Sequence, residues 1–182
     1  MQKLLNWTLE TIRKEESDFS WMEEYRYEWA PLVKSAASKI IEGQSVLLVT
    51  DDENHWFGDY VATKINLLRN NRPLLPFYQL DAIFPDLSGV VGSQEIELLE
   101  DMLDISYPGG YFIWYIGSGE HPYTKLAYRN DENFLWIVDE EVQNSFSLRG
   151  SDALRDIKLL QLFKLFNQTI DAALFGDLEL DS

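Results

Sequence analysis

Ser45-Val46-Leu47-Leu48-Val49-Thr50-Asp51-Asp52-Glu53-Asn54-His55-Trp56-Phe57-Gly58 joins a strand to a helix, and its reading decides the fold. Val46 to Val49 is a continuous apolar run, the pattern of a strand covered on both faces, as parallel strands are. Phe57, Val61, Ile65 and Leu68 follow at helical spacing, which predicts a helix from about Asn54 to Asn70. A strand running into a helix start is where α/β proteins commonly hold a phosphate or cofactor, because free N–H groups at the positive helix end face the ligand. Such a loop needs glycines for close backbone approach. Here it carries Asp51, Asp52 and Glu53, and the first glycine is Gly58. Three carboxylates repel a phosphate and can themselves occupy the free N–H groups. The junction therefore reads as a ligand site that has been closed, which favours a binding protein over an enzyme.

Outward from this junction, strands and helices alternate. Arg72-Pro73 stops the helix, and Leu74 to Leu80 reads as a second strand. Ser93 is a fair N-cap for a short helix bearing Ile96, Leu99 and Leu103. Pro108-Gly109-Gly110 turns the chain into Tyr111 to Ile116, the strongest strand signal present, and Phe134 to Val138 is another. Gly150-Ser151-Asp152 opens a final helix to about Phe175. Before the junction, Leu5, Leu9 and Ile12 mark one helix, an aromatic stretch runs from Trp21 to Trp29, and Pro31 suits the first turn of a second helix ended by Gly43. Alternating strands and helices predict an α/β fold, a three-layer α/β/α arrangement around a parallel sheet. No linker divides it, so residues 1–182 are expected to form one domain with an N-terminal helical arm over about 1–43.

Composition narrows the partners. With 15 basic against 31 acidic residues and a formal net charge of −16, direct nucleic-acid binding is not expected, since it relies on Lys and Arg neutralising phosphates. The charge suits solubility, or steering toward a basic protein surface. Without cysteine there is no disulfide framework and no thiolate metal site. No apolar run nears the ~20 residues of a membrane span, and the N-terminus lacks a signal-peptide pattern, so a cytoplasmic location away from membranes is expected.

The final helix carries a second clue. Leu159, Leu160, Leu162, Phe163, Leu165, Phe166, Ile170, Ala173 and Leu174 cover more than half its circumference, wider than one core requires. Either the excess meets another subunit, giving a homo-oligomer, or the helix is buried deep in one chain; the oligomer is the expectation. The Trp21–Trp29 aromatics are read as packing of the arm, with subunit assembly as the functional alternative.

Two stretches together carry a resemblance. Leu47 to Gln79, ending in Arg72-Pro73-Leu74-Leu75-Pro76, looks like the first half of a sugar isomerase (SIS) domain. Ile113 to Glu140 resembles the second half, with Gly117-Ser118-Gly119 in place of the phosphate loop. Within SIS-like proteins the chain most resembles the HobA family of replication-initiation regulators, which bind the initiator DnaA and are related to DiaA. That resemblance implies an SIS-like fold, no catalysis, no cofactor, a DnaA N-terminal domain as partner, and a homo-oligomer, a dimer or tetramer. DiaA-type proteins end their last helix with a Leu-Phe pair implicated in initiator binding; Leu174-Phe175 stands at that place, with Asp171 and Asp177 to complement a basic rim. Without the resemblance, Leu174 reads as core and Phe175 as packing at the helix cap.

The rival function is a sugar-phosphate isomerase or sensor using Ser118, Glu120 and His121. His55 and His121 are the only histidines, and either type of side chain can serve as a general acid–base. However, neighbours such as Glu120 and His121 usually point apart, and the first loop has lost its glycines and serine. His55 with Asp51 or Asp52 makes only a partial coordination shell, so no metal site is expected. Leu48 to Glu53 is similar to the acidic Mg²⁺ cluster of receiver domains, but the strand Tyr111 to Ile116 ends in Gly117-Ser118 rather than in an aspartate.

Overall fold

A computed structural model describes residues 1–15 and 18–180, apart from the Leu68 side chain. It comprises two compact units, one formed by Gly43–Leu148 and the other by Met1–Glu42 together with the chain from Arg149 onward.

The Gly43–Leu148 unit is built on five parallel strands, β1 (Ser45–Thr50), β2 (Phe77–Gln79), β3 (Tyr111–Ser118), β4 (Phe134–Val138) and β5 (Ser145–Leu148), in the order β2-β1-β3-β4-β5. Helices α3 (His55–Lys64), α4 (Leu80–Ile83), α5 (Ser93–Ser106) and α6 (Thr124–Ala127) form the connections. The interior of β3 and all of β4 are buried, as the continuous apolar runs require. One sheet face packs Leu47, Val49, Ile113, Tyr115, Leu135 and Ile137 with Ile96, Leu99 and Leu103 of α5. On the other, Trp114 stands opposite Phe134 in register, and Phe57 of α3 lies 5.7 Å from the Trp136 ring and 6.1 Å from that of Trp114.

Element ends moved where side chains compete for the backbone. The predicted Asn54–Asn70 helix ends at Lys64, because Arg72 and Asn70 donate to the Ile65 carbonyl at 2.7 and 3.0 Å, and Asn66 pairs both ways with the Leu75 backbone. The expected 74–80 strand shrinks to β2, since Pro73 and Pro76 lack N–H groups for a ladder. β5 is a short strand at the sheet edge, alternating between half-buried and buried residues, and lacks the continuous apolar run that marks the inner strands.

The other unit holds α1 (Gln2–Lys14), α2 (Met22–Ile41) and α7 (Arg155–Leu174). In α1 the buried line is Leu4, Thr8 and Ile12, while Leu5 and Leu9 are only half-buried. The aromatic stretch does not precede the second helix. It is the first half of α2, and Pro31 sits inside that helix rather than at its start. An interior proline costs about 3 kcal/mol; the fully buried Met22, Trp29, Ala30, Val33 and Ala37 around it carry the helix through. Trp21 donates from its indole to Gln161 at 2.9 Å and lies under Lys158, both on α7. α7 begins at Arg155 rather than near Ser151, because Asp152 accepts the Leu154 N–H and holds a turn before the helix. Of the nine apolar α7 positions, Leu159, Leu162, Phe163, Leu165, Phe166 and Ile170 are buried within the single chain, so most of that wide face needs no second subunit.

Removing the Phe57 ring, which packs against both tryptophans, leaves a cavity that β3 and β4 cannot close. Phe57→Ala is expected to lower stability by about 3–5 kcal/mol in urea unfolding monitored by tryptophan fluorescence.

Candidate functional site

In the strand order 2-1-3-4-5, the crevice between the ends of β1 and β3 is the topological switch point, where open α/β sheets place their ligands. Asp51, directly after β1, is buried there. Its Oδ1 accepts the Asn54 backbone N–H at 3.0 Å and the Asn54 side-chain amide at 2.7 Å. Its Oδ2 accepts the Ser118 N–H at 2.7 Å. A single carboxylate thus takes a helix-entry N–H on one side of the crevice and a glycine-loop N–H on the other. A Cβ on Gly117 would fall 2.7 Å from Asp51 Oδ2 and from the Tyr115 hydroxyl, so glycine is required by close approach. At Gly119 the Glu140 carboxylate stands 2.3 Å from the same imagined atom.

A small cavity on the other side of β1, lined by Thr50, Gly58, Gln79, Asp81 and Tyr123 among others, holds about 10 Å³. That is room for about one water, against roughly 300–1,000 Å³ for small-molecule sites. Asp52 and Glu53, read with Asp51 as one cluster, are exposed. Sequence spacing did not reveal Glu140 or Tyr115 as members of this closure, because topology rather than local pattern brings them there.

The histidines serve local structure. His121 Nδ1 accepts the Tyr123 N–H at 3.2 Å, its carbonyl accepts from Thr124, and Ser118 Oγ accepts the Glu120 N–H, so Ser118-Glu120-His121 shapes the turn into α6. His55 lies between Asp81, 2.9 Å from Nε2, and Asp59, 3.4 Å from Nδ1. No group of three or more His, Asp or Glu residues placed to hold a metal occurs among the described residues.

The residues expected to meet a partner lie at the end of α7. Phe175 is 59% exposed, although it directly follows a helix whose apolar positions are largely buried. Its N–H closes on the Asp171 carbonyl at 3.0 Å, and Gly176 follows at φ +82°, the left-handed conformation that ends helices. The Leu178 N–H then bonds back to the Ala172 carbonyl at 3.0 Å, and Leu178 and Leu180 are buried. Leu174 is half-buried rather than core, Asp171 is half-buried, and Asp177 is exposed. The four residues read as partner-binding thus share one helix end. Beside them opens a cleft of about 590 Å³ lined by Ile41, Glu42, Ala173, Gly176, Leu178 and Leu180 among others. Its far wall, at the end of α2, was not foreseen from sequence.

Residues 1–180 match the family model HobA, described as a DNA replication regulator. The chain belongs to the HobA family. A curated relative, the DNA replication regulator protein HobA of Helicobacter pylori (strain ATCC 700392 / 26695), is 28% identical over 187 residues, covering 99% of this chain and 100% of the relative. A crystal structure of a HobA–DnaA (domain I–II) complex from Helicobacter pylori matches with a TM-score of 0.76 at 26% identity, covering 98% of this chain and 99% of that one. The crystal structure of Helicobacter pylori HobA matches at 0.71 and 24% identity, over 96% and 97% of the two chains, a likeness of fold. The parallel sheet flanked by helices expected from sequence is therefore the HobA fold. No helix among the described residues is long and apolar enough to cross a membrane.

In this HobA-family chain, losing the Asp51 carboxylate leaves buried donors on both loops unpaired. Asp51→Ala should cost about 3 kcal/mol in chemical denaturation. His55 provides a second check. The Asp81 hydrogen bond chiefly raises its pKa above the usual 6.5, burial opposes this, and the Asp59 charge adds to it. The charged form is favoured in the folded state, so this stabilisation is fully present below the unfolded pKa and is lost as pH rises through the folded one. The His55 ring resonances should titrate with a midpoint above 6.5, and Asp81→Asn should lower that midpoint.

Proposed function

We propose that this HobA-family protein is a non-catalytic regulator of replication initiation that binds the N-terminal domain of DnaA and promotes its assembly at the origin. The contact is made by Leu174 and Phe175, with Asp171 and Asp177 facing a basic rim on the initiator. The exposed Phe175 ring at a glycine-terminated helix end carries this reading. A large ring held at a fixed end loses little entropy on burial in a partner, which is why aromatics recur at binding hot spots. The relative crystallised as a HobA–DnaA complex supports the choice of partner.

The protein works in the cytoplasm as a homo-oligomer, a dimer or tetramer. Each subunit holds one initiator domain, and symmetry keeps several together. Linked sites raise the effective concentration of each bound initiator without new contacts, so modest affinity per site is enough. With 31 acidic residues against 15 basic, the chain reaches DNA through its partner rather than directly. The sugar-phosphate reading has little support: the Asp51 carboxylate already takes the Asn54 and Ser118 N–H groups that a phosphate would need.

Surface plasmon resonance with the immobilised DnaA N-terminal domain tests the assignment. Phe175→Ala should weaken binding at least about tenfold, the loss typical of a hot-spot aromatic, with oligomer mass unchanged in light scattering. Undiminished binding by Phe175→Ala would remove the assigned contact, and absence of wild-type binding would remove the function.

A further inference from the structure

Helix α5 has two apolar stripes, and the sheet uses only one. Ile96, Leu99 and Leu103 are buried in the core. Leu98, Met102 and Ile105, at i, i+4 and i+7, form a second stripe that is 62, 44 and 82% exposed. This spacing is how a helix face presents itself to another amphipathic helix. Counting 100° per residue, Asp101, Glu97 and Asp104 flank the stripe on one side and Glu95 on the other, all four exposed. The helix contains no Lys or Arg. The nearby Arg129 is bound to Glu100 by three hydrogen bonds of 2.9 to 3.2 Å and leaves the flanks acidic.

We propose that this face of α5 is a second docking surface, distinct from the α7 end, whose occupant is an amphipathic helix of a partner protein carrying Lys and Arg beside its apolar stripe. The charge pattern selects that occupant. A second copy packed by twofold symmetry sets four exposed carboxylates against the same four, with no base on the helix to offset them. An anionic membrane or a nucleic acid is repelled for the same reason. A basic amphipathic helix satisfies both features, burying Leu98, Met102 and Ile105 while its cations meet Glu97, Asp101 and Asp104. Met102, being flexible, lets the face adapt to the side chains it receives.

The probe is a fluorescein-labelled Leu/Lys amphipathic peptide of about five helical turns, titrated with the full-length protein and followed by fluorescence anisotropy. Binding should weaken at least tenfold in the Leu98→Ser/Ile105→Ser double variant, with an unchanged melting temperature because both side chains are exposed. Asp101→Lys should weaken binding and flatten its salt dependence. Hydrogen exchange with the peptide bound should slow over residues 93–106, and Phe175→Ala should bind the peptide as the wild type does, so this outcome is independent of the α7 assignment. Absence of binding, equal binding by the double variant, or protection confined to other segments would overturn the proposal. Loss of oligomer mass by the double variant in sedimentation would also overturn it, assigning the stripe to a second copy.

Discussion

The Asp51 carboxylate is the interaction on which the strand-end architecture depends. Parallel strands ordered 2-1-3-4-5 open a crevice between β1 and β3, and the loops there leave backbone N–H groups pointing into it. Something must accept from them, because an unpaired buried donor costs 1–3 kcal/mol or so. In a phosphate-binding protein the ligand does this. Here Asp51 accepts from Asn54 on one loop and Ser118 on the other. Gly117 lets the carboxylate approach and the Tyr115 hydroxyl fills the space beside it, donating to the Ser118 carbonyl at 2.7 Å. The acceptor that a bound ligand would supply is here a side chain of the protein itself.

This arrangement separates the fold from the chemistry that its architecture commonly serves. The sheet keeps the second loop, with Gly117 and Gly119, and the turn into α6, while the Asp51 carboxylate takes the N–H groups that face the crevice. Ser118 and His121, which in another setting would suggest catalysis, hold turn N–H groups instead. The proposed partner surfaces lie at exposed apolar positions. Phe175 at the end of α7 and the outer stripe of α5 are both set among acidic side chains. An acidic surface with apolar anchors steers basic partners by charge and then binds them by burial.

Much of this was legible in the residues. Continuous apolar runs marked the buried strands because parallel strands have no polar face. Of the three carboxylates read as closing the β1–α3 loop, Asp51 alone does so, and Asp52 and Glu53 are exposed. The misreadings arise where distant structure overrides a local signal. Pro31 looked like a helix start, yet buried residues on both sides of it, Trp29 and Val33 among them, outweigh its missing hydrogen bond. The helix after the junction stops at Lys64 because Asn66, Asn70 and Arg72 fold back onto the backbone, which no 3.6-residue period reveals. The wide apolar face of α7 proved to be largely a matter of burial within one chain. The α7 residues predicted to meet a partner do share one helix end, but the cleft wall contributed by Ile41 is more than a hundred residues away in sequence and had no local signal.

The claim that the Asp51 carboxylate occupies the strand-end crevice can be tested by differential scanning calorimetry with millimolar hexose phosphates. The account predicts a melting temperature identical with and without the sugar phosphate. A concentration-dependent rise, abolished by a bulky substitution at Gly119, would show that an external anion can still displace Asp51 and would contradict it.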